Sequence, residues 1–298
     1  MSNKNLHKAK EAKNDEFYTH YSTIDAELFN YDLSQFRDKV VLCPCDDPVE
    51  SNFTLFFIKN FNHLGLRKLI STGYKKDGHG KKYVLEGDTN GDGVINQKDI
   101  ITEDLEGDGD FNSDEVKSLR DEADIICTNP PFSLFRDFLA WINPDEKKFL
   151  ILGNMNAITY KEVFPLIRDN KLWLGASSGS IEYSTPNGTI QKMGNTCWFT
   201  NLNHRIRREK LPLLTKAERE YQGVVYQKYD NYDAIEVPET KLIPSDYDGV
   251  MGVPISFLDK YNPEQFEIVG NEYDLAIDKG RGYINGIRMY SRLFIKNK

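Results

Sequence analysis

Asn129-Pro130-Pro131-Phe132 is the stretch of this 298-residue chain whose residue types and order most directly suggest chemistry. Asn129 and Pro130 are each followed by proline, which biases both towards extended backbone and helps fix the direction of their carbonyls. Pro130 has a carbonyl and no donor, and the Asn129 side chain offers an acceptor oxygen. Together they make a neutral pair of acceptors for the hydrogens of a single amino group. An exocyclic amine on an aromatic base is a poor nucleophile because its lone pair is spread into the ring. Two acceptors gripping its hydrogens draw the nitrogen towards tetrahedral geometry and free that lone pair to attack an activated methyl carbon. Phe132 is then a platform for the base, a contact worth about 1–3 kcal/mol on nucleic-acid platforms.

The elements around the tetrapeptide must hold it rigid. Ile125-Ile126-Cys127-Thr128 reads as a short buried strand that stops at the two prolines, which cannot continue a ladder. A helix follows, capped by Ser133 and carrying Leu134, Phe135, Phe138, Leu139 and Trp141 at helical spacing. A strand leading through a polar turn into a helix puts that turn at the carboxyl edge of an α/β sheet, where such folds bind ligands. Lys39–Cys43 and Leu66–Gly73 are two further strands by their apolar runs. Ser51 opens a helix with Phe53, Phe56, Phe57 and Phe61 on one side, and Asp114–Arg120 is a helix leading to the Asn-Pro-Pro-Phe strand. Lys148–Leu152, apolar throughout, fits a strand covered on both faces and ends at Gly153-Asn154-Met155-Asn156, ahead of a helix over 157–167. Asn154 and Asn156 are candidates to position a base or to cap that helix. Leu172–Leu174 and Thr196–Thr200 alternate like a closing antiparallel hairpin.

At these residues the chain resembles the adenine-N6 DNA methyltransferases, and more narrowly the EcoRI-type adenine-specific modification methylases. Six blocks carry the resemblance in the family's order: Asn14 to Thr19, Cys43 to Pro48 with Ser51-Asn52-Phe53, Gly109-Asp110-Phe111, Asn129 to Phe132, Gly153 to Ala157, and Trp198 to Asn201. The resemblance implies a Rossmann-like α/β sheet, mostly parallel, of seven strands with a closing antiparallel hairpin, forming a catalytic domain over 1–203. It also implies a small, loop-rich target-recognition domain over 204–298. The implied cofactor is S-adenosylmethionine, with Phe17, Tyr18, Thr19, Pro44, Asp46, Asp47, Asp110, Phe111 and Asn129 around it. Asp110 would accept from its adenine amino group and Phe111 would stack on that ring. The residues themselves leave alternatives: Phe17 to Thr19 as a packing staple, Asp46 or Asp47 as a turn former, and Phe111 as a buried ring. The family's glycines after the first strand are absent, and no acid ends the second strand, where Ser71, Thr72 and Tyr74 stand instead. The implied substrate is double-stranded DNA, with a cognate restriction endonuclease as a possible companion. Two other readings compete: the same amine methylation on RNA bases or protein glutamine, and a non-enzymatic, calcium-dependent nucleic-acid-binding module.

Composition bounds these readings. The 39% hydrophobic content supports a full core, and no apolar run approaches a membrane span, so a cytoplasmic protein is expected. Cys43, Cys45, Cys127 and Cys197 read as reduced thiols. The net charge of −8 is concentrated in residues 86–124, where fourteen acids face three bases for a balance of −11, leaving +3 elsewhere. The acidic insert over about 75–108 contains Asp88-Thr-Asn90-Gly-Asp92-Gly-Val94-Ile-Asn96-Gln-Lys-Asp99, which has the ligand spacing of a calcium-binding EF-hand loop and looks like the loop of dockerin repeats. Its reading is either a structural calcium site or an ion-free surface insertion. In the carboxyl-terminal part, Arg205, Arg207 and Arg208 are candidates for phosphate contacts and Tyr226 to Tyr232 for base reading.

Overall fold

The computed structural model describes residues 18–45, 47–75, 78–184, 189–275, 277 and 280–298. The chain divides into two units, one running to Ile167 and resuming over Lys171–His204, the other made of Arg168–Asn170 and Arg205–Lys298.

The first unit begins with β1 (Tyr18–Thr19), α1 (Tyr21–Leu28), β2 (Val40–Cys43), α2 (Asn52–Leu64), β3 (Lys68–Gly73), β4 (Lys81–Leu85) and β5 (Ile101–Asp104). It continues with α3 (Asp114–Glu122), β6 (Ile125–Thr128), α4 (Phe135–Ile142), β7 (Lys148–Asn154), α5 (Phe164–Arg168, its last residue in the second unit), β8 (Trp173–Ser184) and β9 (Ile190–Thr200). The strands form one nine-stranded sheet in the order β1-β8-β9-β7-β6-β2-β3-β4-β5. Its centre, β3-β2-β6-β7, is parallel, and β2 and β6 are buried at every position, as continuous apolar runs covered on both faces should be. Antiparallel strands extend it on both sides, and the β8–β9 hairpin closes one of them with Trp173 opposite Thr200 and Leu174 opposite Phe199.

Local chemistry explains the elements that hold. Ser51 accepts from the Thr54 amide at 3.3 Å to open α2, and Gly65 closes it in the left-handed conformation at φ 64°. Ser113 caps α3 in the same way through Val116. Other expectations need correction. The helix after Asn-Pro-Pro-Phe starts at Phe135, following a 3₁₀ turn over Phe132–Leu134. Its N-cap is Leu134, without a side-chain cap, and Leu134 is exposed. The segment 157–167 is a 3₁₀ turn (Met155–Thr159) and the short α5, not one helix. Seven strands become nine because the acidic insert supplies β4 and β5. β4 pairs with β3, and acids that look like a solvated run meet lysines across the β4–β5 ladder, Lys81 with Asp104 at 2.5 Å and Lys82 with Glu103 at 2.6 Å.

Between long loops the second unit has α6 (Lys216–Tyr221), β10 (Ala234–Glu236), β11 (Val250–Pro254), β12 (Phe266–Asn271), the small hairpin β13 (Tyr283–Ile284) and β14 (Ile287–Arg288), and β15 (Arg292–Asn297). β10-β11-β15-β12 form a four-stranded sheet. Acid–arginine pairs inside it hide its strand pattern from hydropathy: Glu236, 5% exposed, binds Arg292 at 2.6 Å, and Glu272, 1% exposed, binds Arg281 at 2.8 Å. Among the described residues no helix is long and apolar enough to cross a membrane.

One buried carboxylate ties α1 to β8. The register of β8 shifts between Leu174 and Ser178, freeing amides from the ladder. Glu27, fully buried, accepts from the Ala176 and Ser177 amides at 2.6 and 2.9 Å, from the Tyr31 hydroxyl at 2.8 Å and from the Ser177 hydroxyl. Gly175 makes room, since a Cβ there would stand 2.3 Å from Glu27 Oε1. Burial pushes the Glu27 carboxyl up from the usual range against the pull of these donors. Glu27→Ala orphans the buried donors and should cost about 3 kcal/mol, with Glu27→Gln costing less, as measured by denaturant unfolding.

Candidate active site

The topology assembles the site. From β2 the chain winds to one side through β3, and from β6 to the other through β7, so the strand order reverses between β2 and β6. The crevice outside the carboxyl ends of those two strands is where open α/β sheets take ligands. The loop after β2 carries Pro44, Cys45 and Asp47, and the loop after β6 is Asn129 to Phe132. A hydrogen bond joins them: the Thr128 hydroxyl, fully buried, donates to the Pro44 carbonyl. Thr128 immediately precedes Asn129, which is itself buried at 8% exposure.

Phe132 is half-buried and meets Tyr183 edge to face at 6.4 Å, and burial raises the Tyr183 phenol above its usual range, so it stays neutral. Phe135, at the start of α4, packs at a tilt 4.9 Å from Phe199 over Gly153, where a Cβ would stand 2.4 Å from the Phe135 ring. The glycine of Gly153-Asn154-Met155-Asn156 therefore lets the element after Asn-Pro-Pro-Phe pack on β7. Asn154 accepts from the Asn156 amide at 2.9 Å and caps the 3₁₀ turn, the capping alternative left open by the sequence, while Asn156 is exposed.

The amino-terminal block reaches the same edge. Thr19 pairs with Tyr183 and Tyr18 with Ser184, and the Asn52 side chain donates to the Thr19 carbonyl at 2.8 Å. Phe17 and Asp46 lie outside the described residues. Asp47 is exposed and makes a turn, its Oδ1 accepting from the Val49 and Glu50 amides at 2.8 and 3.3 Å. In the same loop, which lacks glycine, Cys45 stands in the left-handed region at φ 80°, a backbone cost of roughly 1–3 kcal/mol that marks a site of over-determined geometry.

The Gly107–Phe111 loop docks on the end of β3. Gly109, at φ 84°, lies so close that a Cβ would be 2.4 Å from the Gly73 carbonyl, and the Lys75 amide donates to the Asp108 carbonyl at 2.7 Å. Asp110 is thereby held exposed beside the strand next to β2, accepting from the Asn112 amide at 2.8 Å. Phe111 does not stand free. It is 7% exposed and packs edge to face on Phe138 and Trp141 at 5.2 and 5.7 Å, the buried alternative for this ring. At the end of β3, Ser71 and Thr72 are buried, Ser71 bonding Thr54 at 2.7 Å and the Cys43 carbonyl at 3.1 Å, which leaves Tyr74 as the exposed group there. The insert, unforeseen as part of the site's surroundings, walls a cavity of about 260 Å³ with Tyr83, Gln97, Ile100 and Thr102 opposite Pro48, Val49, Leu55 and Ile58.

These donors and acceptors fit S-adenosylmethionine. Exposed carboxylates at Asp47 and Asp110 suit its ammonium and adenine amino groups, and the tight glycine docking at Gly109 fixes one of them in place. The calcium expectation is not supported. Asp88 accepts from the Gly91 and Gly93 amides at 2.7 Å each, Asn90 from Asp92 and Asp92 from Val94 at 2.9 Å. Asn96 donates to the Val94 carbonyl at 2.9 Å, and Asp99, fully buried and held low by amides led by Asn96, completes a loop satisfied by its own backbone. Among the described residues no three His, Cys, Asp or Glu side chains converge on a metal position. In the second unit, Arg207 is half-buried and binds Asn170, and burial lowers its guanidinium to about 10, so Arg205 and Arg208 are the exposed members of that cluster. Of the expected base readers, Tyr229 is turned inward onto Glu236.

A doubly wound sheet carries the Asn129–Phe132 tetrapeptide at its switch point, beside the loops that bear Asp47 and Asp110, the edge at which α/β enzymes take their ligands. Residues 5–298 match the family described as adenine-specific methyltransferase EcoRI. The chain is 47% identical to the Type II methyltransferase M.EcoRI of Escherichia coli, over 100% of this chain and 97% of that protein. It is 36% identical to the Type II methyltransferases M.MpnI of Mycoplasma pneumoniae and M.MgeORF184P of Mycoplasma genitalium, in each case over 98% of both chains. The chain belongs to the EcoRI family of adenine-specific methyltransferases, and it is an enzyme of that kind.

The Thr128–Pro44 bond joins the two loops of the site, so Thr128 is a positioning residue. Thr128→Val should lower kcat roughly tenfold, about the net worth of one buried hydrogen bond, and Thr128→Ser should restore it. Unchanged steady-state kinetics in the valine variant would remove that role.

Proposed function

We propose that the protein transfers a methyl group to adenine N6 in double-stranded DNA at a specific sequence, as the modifying member of a restriction-modification system or as an orphan methylase. The observation that supports this best is the junction of the Asn129–Phe132 loop with the loop after β2 at the switch point, through Thr128 and Pro44. N6 of a stacked, paired adenine cannot reach a sheet-edge site, so the base must leave the duplex.

In this reading the Asn129 side-chain oxygen and the Pro130 carbonyl accept the two N6 hydrogens, and Pro131 stiffens the turn. Phe132, steadied by the edge of Tyr183, stacks on the extruded ring. S-adenosylmethionine, when bound, supplies an electrophilic methyl group. Tyr18, Thr19, Pro44, Asp47 and Asp110 would hold it, with Phe17 and Asp46 completing the set and Phe111 anchoring the Asp110 loop in the core against Phe138 and Trp141. No strong base is required, because the methylated nitrogen sheds its proton to water. Catalysis consists of orientation and fixed dipoles. Residues 204–298 serve target recognition, with Arg205 and Arg208 towards phosphates. A cognate endonuclease and a cytoplasmic location belong to this proposal.

Incubation with labelled S-adenosylmethionine and unmethylated duplex DNA should give N6-methyladenine, with sequencing of modified bases returning one short motif. Label confined to RNA or protein would overturn the DNA reading. Asn129→Ala should reduce the rate about 10²-fold or more, the scale seen when one preorganised hydrogen-bond partner is lost, while leaving cofactor affinity near its original value.

A further inference from the structure

The β13–β14 hairpin of the second unit is held both at its base and at the backbone of its turn, and side chains beyond Ile284 reach solvent. Ile284 is buried, whereas Asn285, Gly286, Ile287 and Arg288 are exposed, Ile287 at 70%, with Tyr290 just beyond at 83%. Asn285 and Gly286 both adopt positive φ, 50° and 73°, the two-residue turn that matches the twist of a narrow ribbon. Two consecutive residues pin this ribbon. The Asp230 carboxylate accepts from the Asn285 and Gly286 amides at 3.1 and 2.8 Å, and the Asp230 amide donates to the Tyr283 carbonyl at 2.8 Å. The Asn231 side chain accepts from the Tyr283 amide at 3.0 Å and donates to the Arg281 carbonyl at 2.9 Å.

The arginines differ in the same instructive way. Arg281 and Arg292 are tied to buried Glu272 and Glu236, while Arg288 has no acidic partner among the described residues. An exposed isoleucine and an uncommitted arginine, adjacent on a preorganised ribbon, are the pieces of a recognition tip: fixing the tip in advance lowers the entropy lost when it meets a partner.

We infer that this hairpin enters the major groove of the duplex substrate, with Arg288 directed to base-edge acceptors and Ile287 to an apolar surface such as a thymine methyl. The major groove admits a two-stranded ribbon, and arginine to guanine is its commonest specific contact. Asp230 and Asn231, two residues within the Tyr226–Tyr232 segment that the sequence offers for base reading, act here as the clamp that aims the reader. The inference rests on the proposed DNA substrate.

The test uses the full-length enzyme with unmethylated duplex DNA, comparing wild type, the double variant Ile287→Ala/Arg288→Ala, and Asp230→Ala. The double variant should raise the KM for DNA about tenfold or more and relax the methylated motif, with S-adenosylmethionine affinity and Tm unchanged. Asp230→Ala removes an acid near phosphates, so simple charge predicts tighter DNA binding, whereas loss of the clamp predicts weaker binding. A double variant whose DNA KM and motif stay within about twofold of wild type overturns the inference, as does tighter binding by a folded Asp230→Ala protein. If Asp230→Ala does not fold, the double variant alone decides. If wild type methylates no DNA, the substrate reading falls and this inference with it; active wild type with indifferent variants removes the hairpin role alone.

Discussion

The arrangement of the site depends on the reversal of strand order between β2 and β6 and on the hydrogen bond that spans it. Parallel strands put their carboxyl ends on one edge, so the loops after β2, β3, β6 and β7 all emerge together. The Thr128 hydroxyl then fixes the loop that would grip the amine against the loop that would hold the methyl donor. Because both loops are rich in proline, little backbone freedom remains to be frozen when ligands arrive. The strained Cys45 belongs to the same economy: a left-handed non-glycine residue persists only where its surroundings dictate the chain path.

Supporting contacts repeat the theme of close approach. Gly109 on Gly73, Gly153 beneath Phe135 and Gly175 against Glu27 each let a loop or strand come nearer than any side chain would permit. At each place the element brought close carries, or directly follows, part of the site or of the sheet edge that lines it. The aromatic residues Phe111, Phe138 and Trp141 anchor the end of the Gly107–Phe111 loop, and turn bonds on either side hold the exposed Asp110 next to them in sequence.

Much of this was legible in the sequence because it is written locally. Continuous apolar runs marked β2, β6 and β7, Ser51 and Ser113 marked helix starts, and alternation marked the β8–β9 hairpin. What was not legible depends on partners distant in sequence. β4 and β5 pair by a backbone ladder along which ion pairs such as Lys81 with Asp104 line up, charges that in the sequence add only to a count. In the second unit β10 ends in the buried acid Glu236, whose arginine partner Arg292 lies on β15, far along the chain. Arg207 and Tyr229 have the residue types of nucleic-acid contacts, yet their neighbours turn them inward. The Asp88–Asp99 loop has the spacing of an ion site because the same side chains that ligate a cation also satisfy turn amides, and only coordinates tell which they do.

The two-residue strand β1 has a consequence for how the protein is made. Thr19 finds its ladder partner at Tyr183, so one of the first described residues to leave the ribosome is among the last to be seated. At ordinary translation speeds that is a wait on the order of ten seconds. The wall that Tyr183 and Phe132 share is finished only once β8 has emerged, so the switch-point edge of a nascent chain stays incomplete until most of its first unit exists.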